Sequence, residues 1–379
     1  MNTAPIYLDY NATTPIDPRV LEAMLPYLAV HYGNPSSDHV VGQRAKAAVE
    51  AARAEVATLI GATPSEIIFT GCATEANNLA LLGARSALSS GRKLLVTSAI
   101  EHPSVLQPLR HLAREGWSLT ELPVDAAGRV QMDRAAHAIT PEVALVSVML
   151  ANNETGSLQA VRALADLAHA AGALMHVDAA QAVGKVAVDV NALGADLLTL
   201  AGHKFYATKG VGALYVRAGV ALEPIQYGAG HEHGLRPGTE NVPHIVALGE
   251  AARLARATLA QDAARMAVLC ERLYGRLAAA IPGLQLNGHP TERLPNTLNL
   301  SFPAVAGWQL LAAAPAVAAS TGSACHAGEH AASGVLAAMG LTAEAAAGAV
   351  RLSLGRFTTE AEVDRAADAL ISAWKSLTA

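Results

Sequence analysis

Cysteine is scarce in this sequence. Cys72, Cys270 and Cys325 stand far apart and form no CxxC pair, so no disulfide framework can be built from them and a reducing, cytoplasmic compartment is expected. A basic excess is missing too. Lys and Arg number 27 against 32 Asp and Glu, a net charge of -5, which leaves little to neutralise a phosphate backbone and removes nucleic acid from the expected partners. No uninterrupted apolar run reaches the roughly 18 residues that a membrane-spanning helix needs. The opening MNTAPIYLDYNATT carries Asp9 and polar side chains where a secretory signal has a charged start and an apolar stretch. No segment repeats at a fixed period. The expectation is a soluble cytoplasmic protein.

What is present begins with length. At about 150 residues per domain, the 379 residues predict two domains and a core large enough to bury catalytic machinery. Between residues 66 and 217, short apolar runs alternate with helical periodicity: EIIFT before TEANNLALLGARSAL, KLLVTSAI before HPSVLQPLRHLAREG, VALVSVML before AVRALADLAHAAG, then LMHVDAA, DLLTLAG and GALYVR. This alternation predicts an α/β fold with a mostly parallel sheet covered on both faces. Polar residues follow the runs: Thr74, His102, Asn153, Asp178 with Gln181, and Lys204. Ligands of open α/β sheets bind beyond the carboxyl ends of the strands, so one edge should collect all six. From about residue 244, Ala-rich text predicts one long helix linking two domains. Beyond it LPNTLNLSF and PAVAAS read as strands, and AAAGAVRLSLGRF leads into a terminal helix, TEAEVDRAADALISAWKSL, opened by Thr and Glu. The tail reads as a second, smaller α/β domain.

Lys204 in AGHKF directly follows an apolar strand, where a lysine either reaches out to solvent or is used. Asp178 in HVDAAQ ends another such strand, as a solvated cap or as a buried acid that needs a cation. An acid facing a pyridinium nitrogen, with a lysine joined to the same ring, is the pairing that pyridoxal phosphate demands. TGCATEANN offers a glycine turn and Thr74 at a helix start, where exposed N–H groups favour a phosphate, although an ordinary capped helix has the same text. His102 in IEHPSV could stack on the ring or be a satisfied loop residue. His203 could donate to the phosphate or fill space. In TGSACHAGEH, residues 321 to 330, Cys325 reads as a metal ligand, a buried thiol or a nucleophile. A metal would need Cys325, His326 and His330 to converge with His231 and His233, and no second cysteine stands at zinc-finger spacing, so no metal is expected.

Eleven segments in order carry a resemblance that spans nearly the whole chain: YLDYNATTP, GNPSS, FTGCATEANNLA, EHPSV, ANNETG, HVDAAQAVGK, GHKFYATKGVGALYVR, RPGTEN, LPNTLN, GSACH and RLSLGRFTTEAEVD. They resemble the NifS/IscS class of cysteine desulfurases and their close relative selenocysteine lyase, within the class V aminotransferases. The resemblance implies a fold-type I pyridoxal 5'-phosphate enzyme: a homodimer, each subunit with a mostly parallel seven-stranded sheet in a large domain, residues 12–258, and a smaller α/β domain, residues 1–11 plus 259–379, that carries a mobile cysteine loop. It implies that Lys204 joins the cofactor, Asp178 meets the ring nitrogen, Gln181 the ring hydroxyl, and His102 stacks. Ala73, Thr74 and His203 fall on phosphate contacts, with Thr239 supplied by the neighbouring subunit. Asn153, which also lies against the cofactor, and Arg351 match the residues that hold the substrate carboxylate, with Asn11 nearby; an Arg fork suits a carboxylate. Cys325 matches the nucleophile that attacks the substrate's sulfur or selenium, leaving alanine. Because Lys204 must attack an aldehyde as the free amine, its pKa once in imine form should lie well below about 10.4.

Some positions depart from the desulfurase pattern. STGSACHAG and EHAASGVL replace SSGSACTS and a Leu-Glu-Pro-Ser segment, and the histidine after Cys325 looks more like selenocysteine lyase. Ala201 stands where a phosphate-contacting Ser is common, and Cys72 lies in the phosphate turn. The sequence stops at Ala379 without the extension through which IscS-type enzymes engage an Fe–S scaffold. L-cysteine is the expected substrate and L-selenocysteine the alternative, with a protein or small thiol as the sulfur or selenium acceptor. His326 either tunes the Cys325 thiol or is a solvated loop residue. An aminotransferase of the same fold and a metal-binding or sulfur-carrier protein without turnover are the competing readings.

Overall fold

Residues 4–85, 91–321 and 333–379 are described in the computed structural model, whose centre is a seven-stranded sheet. In spatial order its strands are Ile67–Thr70, Gly212–Val216, Leu197–Ala201, Leu174–Asp178, Val143–Met149, Leu94–Ser98 and Ser118–Leu122. Gly212–Val216 runs antiparallel to both of its neighbours. The other adjacent pairs are parallel, as the alternation of strand and helix requires. Every residue of Val143–Met149 is buried, which explains why the central strands read as unbroken apolar runs. Ser118–Leu122 escaped the sequence reading. It is an edge strand whose SLTEL text is mostly not buried, so it carries no apolar run.

Helices cover both faces. Ile67, Phe69, Val146, Val148 and Leu198 pack on one side with Val49, Val56 and Leu248; Ile68, Leu95, Leu145 and Leu197 pack on the other with Leu79 and Leu109. One helix, Val242–Ala280, runs 39 residues without interruption, matching the long Ala-rich stretch. Its second half enters another apolar cluster, in which Leu269, Leu273 and Leu277 meet Leu298, Leu300, Leu352, Leu370 and, from the other end of the chain, Ile6 and Leu8. Above that cluster lies a three-stranded antiparallel sheet with Thr297–Ser301 between Ala349–Ser353 and Gln285–Asn287. Of PAVAAS, only Val317 and Ala318 form a strand, paired in parallel with Ile6–Tyr7. The terminal helix Glu360–Thr378 begins at Thr359 with a reciprocal capping box to Glu362, the Thr and Glu seen in the sequence.

Candidate active site

A cavity of about 690 Å³ opens beyond the carboxyl ends of the parallel strands. All six strand-end residues, Thr74, His102, Asn153, Asp178, Gln181 and Lys204, line it, together with Asn11, Ala73, His203 and Arg351. Thr239 is exposed and lies outside this cavity within its own chain. Cys325, His326 and His330 lie outside the described residues.

Asp178 ends the strand Leu174–Asp178 and is 6% exposed. Its Oδ2 accepts Nδ2 of Asn77 at 2.9 Å and its Oδ1 accepts the Ala180 N–H at 2.9 Å. These neutral donors hold the carboxylate without neutralising it, so its charge remains available to a cationic group in the cavity. Lys204 follows Leu197–Ala201 in a single 3-10 turn. Its Nζ donates to the main-chain oxygens of Asn11 at 2.6 Å and Ala12 at 3.0 Å. Burial and then the Arg351 guanidinium pull its pKa from 10.5 to about 8, against the opposing pull of Asp178 and Asp9. That shift makes the amine nucleophilic near neutrality.

The helix Ala73–Gly83 points its N-terminus at the cavity, and no side chain among the described residues caps it. Gly212 explains how the helix comes so close to the sheet. A Cβ there would stand 2.8 Å from the Leu200 oxygen and 2.9 Å from the Cys72 carbonyl carbon. Nearby, the neutral form of His203 is favoured: burial and the cations Lys204, Lys209 and Lys185 lower its pKa to about 4. Its Nδ1 lies 3.1 Å from Oγ1 of Thr13. His102 caps the helix Pro103–Arg114, its Nδ1 accepting the Ser104 N–H at 3.1 Å, which leaves the proton of the neutral ring on Nε2.

Arg351 enters from Ala349–Ser353 and is 4% exposed. It donates from Nη1 to the Asn153 oxygen at 3.0 Å and from Nη2 to Oδ1 of Asp9 at 2.6 Å, while its buried Nε has no hydrogen-bond partner among the described residues. Such an orphaned donor marks a place for an acceptor. Asn11 knits these parts together: its N–H donates to Ser353, its Nδ2 to Thr297, and its main-chain oxygen accepts both Gln181 and Lys204. Sequence reasoning missed the partners Asp9, Asn77 and Lys185. Lys185 was visible inside HVDAAQAVGK, whereas the Asp9–Arg351 pair joins residues 342 positions apart.

The donor set fits pyridoxal phosphate. An uncapped helix N-terminus with Thr74 and His203 suits the phosphate, the Asp178 carboxylate suits a protonated ring nitrogen, and Lys204 suits the aldehyde. The comparisons with known proteins agree. Cysteine desulfurase 2 of Trichormus variabilis is 47% identical over 362 residues, covering 95% of this chain and 90% of that protein. A solved NifS-like protein superposes with a TM-score of 0.91 at 36% identity, covering 97% of this chain and 98% of the other. SspA, solved in complex with cysteine, gives a TM-score of 0.82 at 34% identity and covers 93% and 99% respectively. The aminotransferase class-V model matches residues 6–366: the chain belongs to that family.

Proposed function

We propose that this protein is a pyridoxal-phosphate-dependent cysteine desulfurase that takes sulfur from L-cysteine, leaves L-alanine and carries the sulfur as a persulfide on Cys325. The observation that carries the reading is the convergence of Lys204, Asp178 and Arg351 on one cavity. When bound, pyridoxal phosphate supplies an electron sink for the substrate's α-carbon. Lys204 anchors the cofactor and, once released, can hold a proton at Nζ. Asp178 keeps the ring nitrogen protonated, Gln181 meets the ring oxygen, and His102 covers one face. Ala73, Thr74 and His203 hold the phosphate, with Thr239 contributed by a second copy. Arg351 and Asn153, beside Asn11, grip the substrate carboxylate. Cys325 supplies the attacking thiolate.

Cysteine desulfurase names among relatives covered almost end to end, and a fold neighbour holding cysteine, support cysteine rather than selenocysteine. The Leu269–Leu300 cluster joined by Ile6 and Leu8 supports a division into residues 12–258 and 1–11 plus 259–379. A cytoplasmic homodimer that hands sulfur to an acceptor protein or small thiol completes the proposal; no helix among the described residues is long and apolar enough to cross a membrane. The test measures alanine with sulfide from cysteine, and alanine with selenide from selenocysteine, with an added thiol present to reduce the persulfide and release its sulfur. Equimolar alanine and sulfide from cysteine, abolished in Cys325→Ala, are expected. Full cysteine turnover by Cys325→Ala, or a protein without a borohydride-sensitive visible band, would overturn the reading.

A further inference from the structure

Behind the cavity lies a second lysine. Lys185, four residues after Gln181, is 5% exposed, and its Nζ donates to Oε1 of Gln181 at 2.6 Å and Oδ1 of Asn11 at 3.1 Å. Both acceptors are neutral amides. A buried lysine ordinarily has an acidic partner, yet among the described residues no carboxylate bonds to this Nζ. The charged groups facing it are Lys204 and Arg351, and His203 also lies within electrostatic reach. Burial first, and then those two cations, hold its pKa well below 10.5. The Nζ has an N–H group for each of the two acceptors.

The consequence falls on Gln181. Its Nε2 donates to the Asn11 main-chain oxygen at 2.9 Å, which demands a donor, while its Oε1 is held by Lys185. Together the two contacts leave the carboxamide a single orientation, with the NH2 group on the side away from Lys185. We propose that Lys185 is a positioning residue that acts through Gln181: it locks the carboxamide so that an N–H, not the oxygen, meets the ring oxygen of the cofactor and favours that oxygen's deprotonated form. The inference rests on the cofactor role proposed above. Without Lys185, Oε1 of Gln181 loses its buried partner, and a turned carboxamide would present an acceptor to an anionic oxygen.

The experiment follows the visible band of the cofactor-loaded protein against pH, and cofactor dissociation by equilibrium dialysis. Loss of one hydrogen bond's preference for the deprotonated form moves a titration by about half to one pH unit. Lys185→Met should move the midpoint upward by that amount and weaken cofactor retention about threefold or more. In a Gln181→Ala background the same substitution should move the midpoint no further, because its route is gone. A midpoint unmoved in Lys185→Met, or one that moves equally with and without Gln181, overturns the proposal. If Lys185→Met does not fold, Lys185→Gln decides: its amide keeps an N–H for Gln181, so the midpoint should stay, and a shift as large as that of Gln181→Ala overturns the proposal. Absence of any visible band in the unaltered protein would instead sink the cofactor reading itself.

Discussion

A lysine that must attack an aldehyde is useful only as the free amine, and the surroundings of Lys204 supply that form. With a pKa lowered to about 8, about one quarter of the amine is free at pH 7.5, against about one in a thousand at the ordinary value. The free form grows as pH rises through the folded pKa, so cofactor loading of the stripped protein should accelerate with a midpoint near 8. Stopped-flow absorbance checks this, and a midpoint near 10.5 would mean that Lys204 is not desolvated. Arg351 makes a different demand. Its orphaned Nε and the bonds of its two Nη atoms to Asn153 and Asp9 fix a planar fork, which a point charge does not reproduce. Arg351→Lys should therefore raise KM for cysteine about 10- to 100-fold, with kcat less affected; an unchanged KM would place the carboxylate elsewhere. The residues legible in the sequence were those that follow apolar runs, because strand ends announce themselves. Asp9, Asn77 and Lys185 were not, because their significance lies in partners that only the fold supplies.

At the scale of elements, the cavity exists because a helix N-terminus is pressed against the sheet. Gly212 is the contact that permits it, and Gly212→Ala would force the Leu200 oxygen or the Cys72 main chain to give way. Neither is the end of a flexible side chain. Gly212→Ala should weaken cofactor affinity by about tenfold or more, in line with the 1–3 kcal/mol cost of overpacking, as read by equilibrium dialysis; unchanged affinity would show that the helix can shift freely. The central strands were legible for the reason the site was: buried on both faces, they are apolar throughout. The edge strand Ser118–Leu122 and the two-residue pair Ile6–Tyr7 with Val317–Ala318 were not. Strands so short or so mixed depend on neighbours for their identity. The terminal helix was legible from the Thr and Glu ahead of its apolar positions; that they form a reciprocal capping box is what the structure adds.

Over the whole molecule, distant pieces are tied by a few charged side chains. Arg356 donates to Asp17, Asp262 and Thr258, its main-chain N–H donates to the Tyr206 hydroxyl, and its guanidinium lies 4.6 Å over the Tyr206 ring. It thereby pins the strand leading out of the second cluster to the region beside Lys204. One surface remains without such closure. Along the helix Pro18–Ala29 and the segment after it, Leu25 is 51% exposed, Leu28 54%, Val30 65%, Tyr32 79% and Val40 72%. So many large apolar side chains in one stretch mark an interface, and the occupant we propose is a second copy of this chain. Thr239 supports that choice, because it is exposed and away from its own cavity while the family resemblance assigns it to the neighbour's phosphate. Leu25→Glu combined with Leu28→Glu would bring two carboxylates against two others across a twofold contact. On this proposal the unaltered protein should sediment as a dimer and the variant as a monomer, which should lose both cofactor retention and cysteine turnover together. Thr239→Ala should weaken cofactor retention while leaving the dimer intact. A double-Glu variant that sediments as a dimer would move the interface elsewhere, and a monomer with full turnover would show that each chain completes its own site.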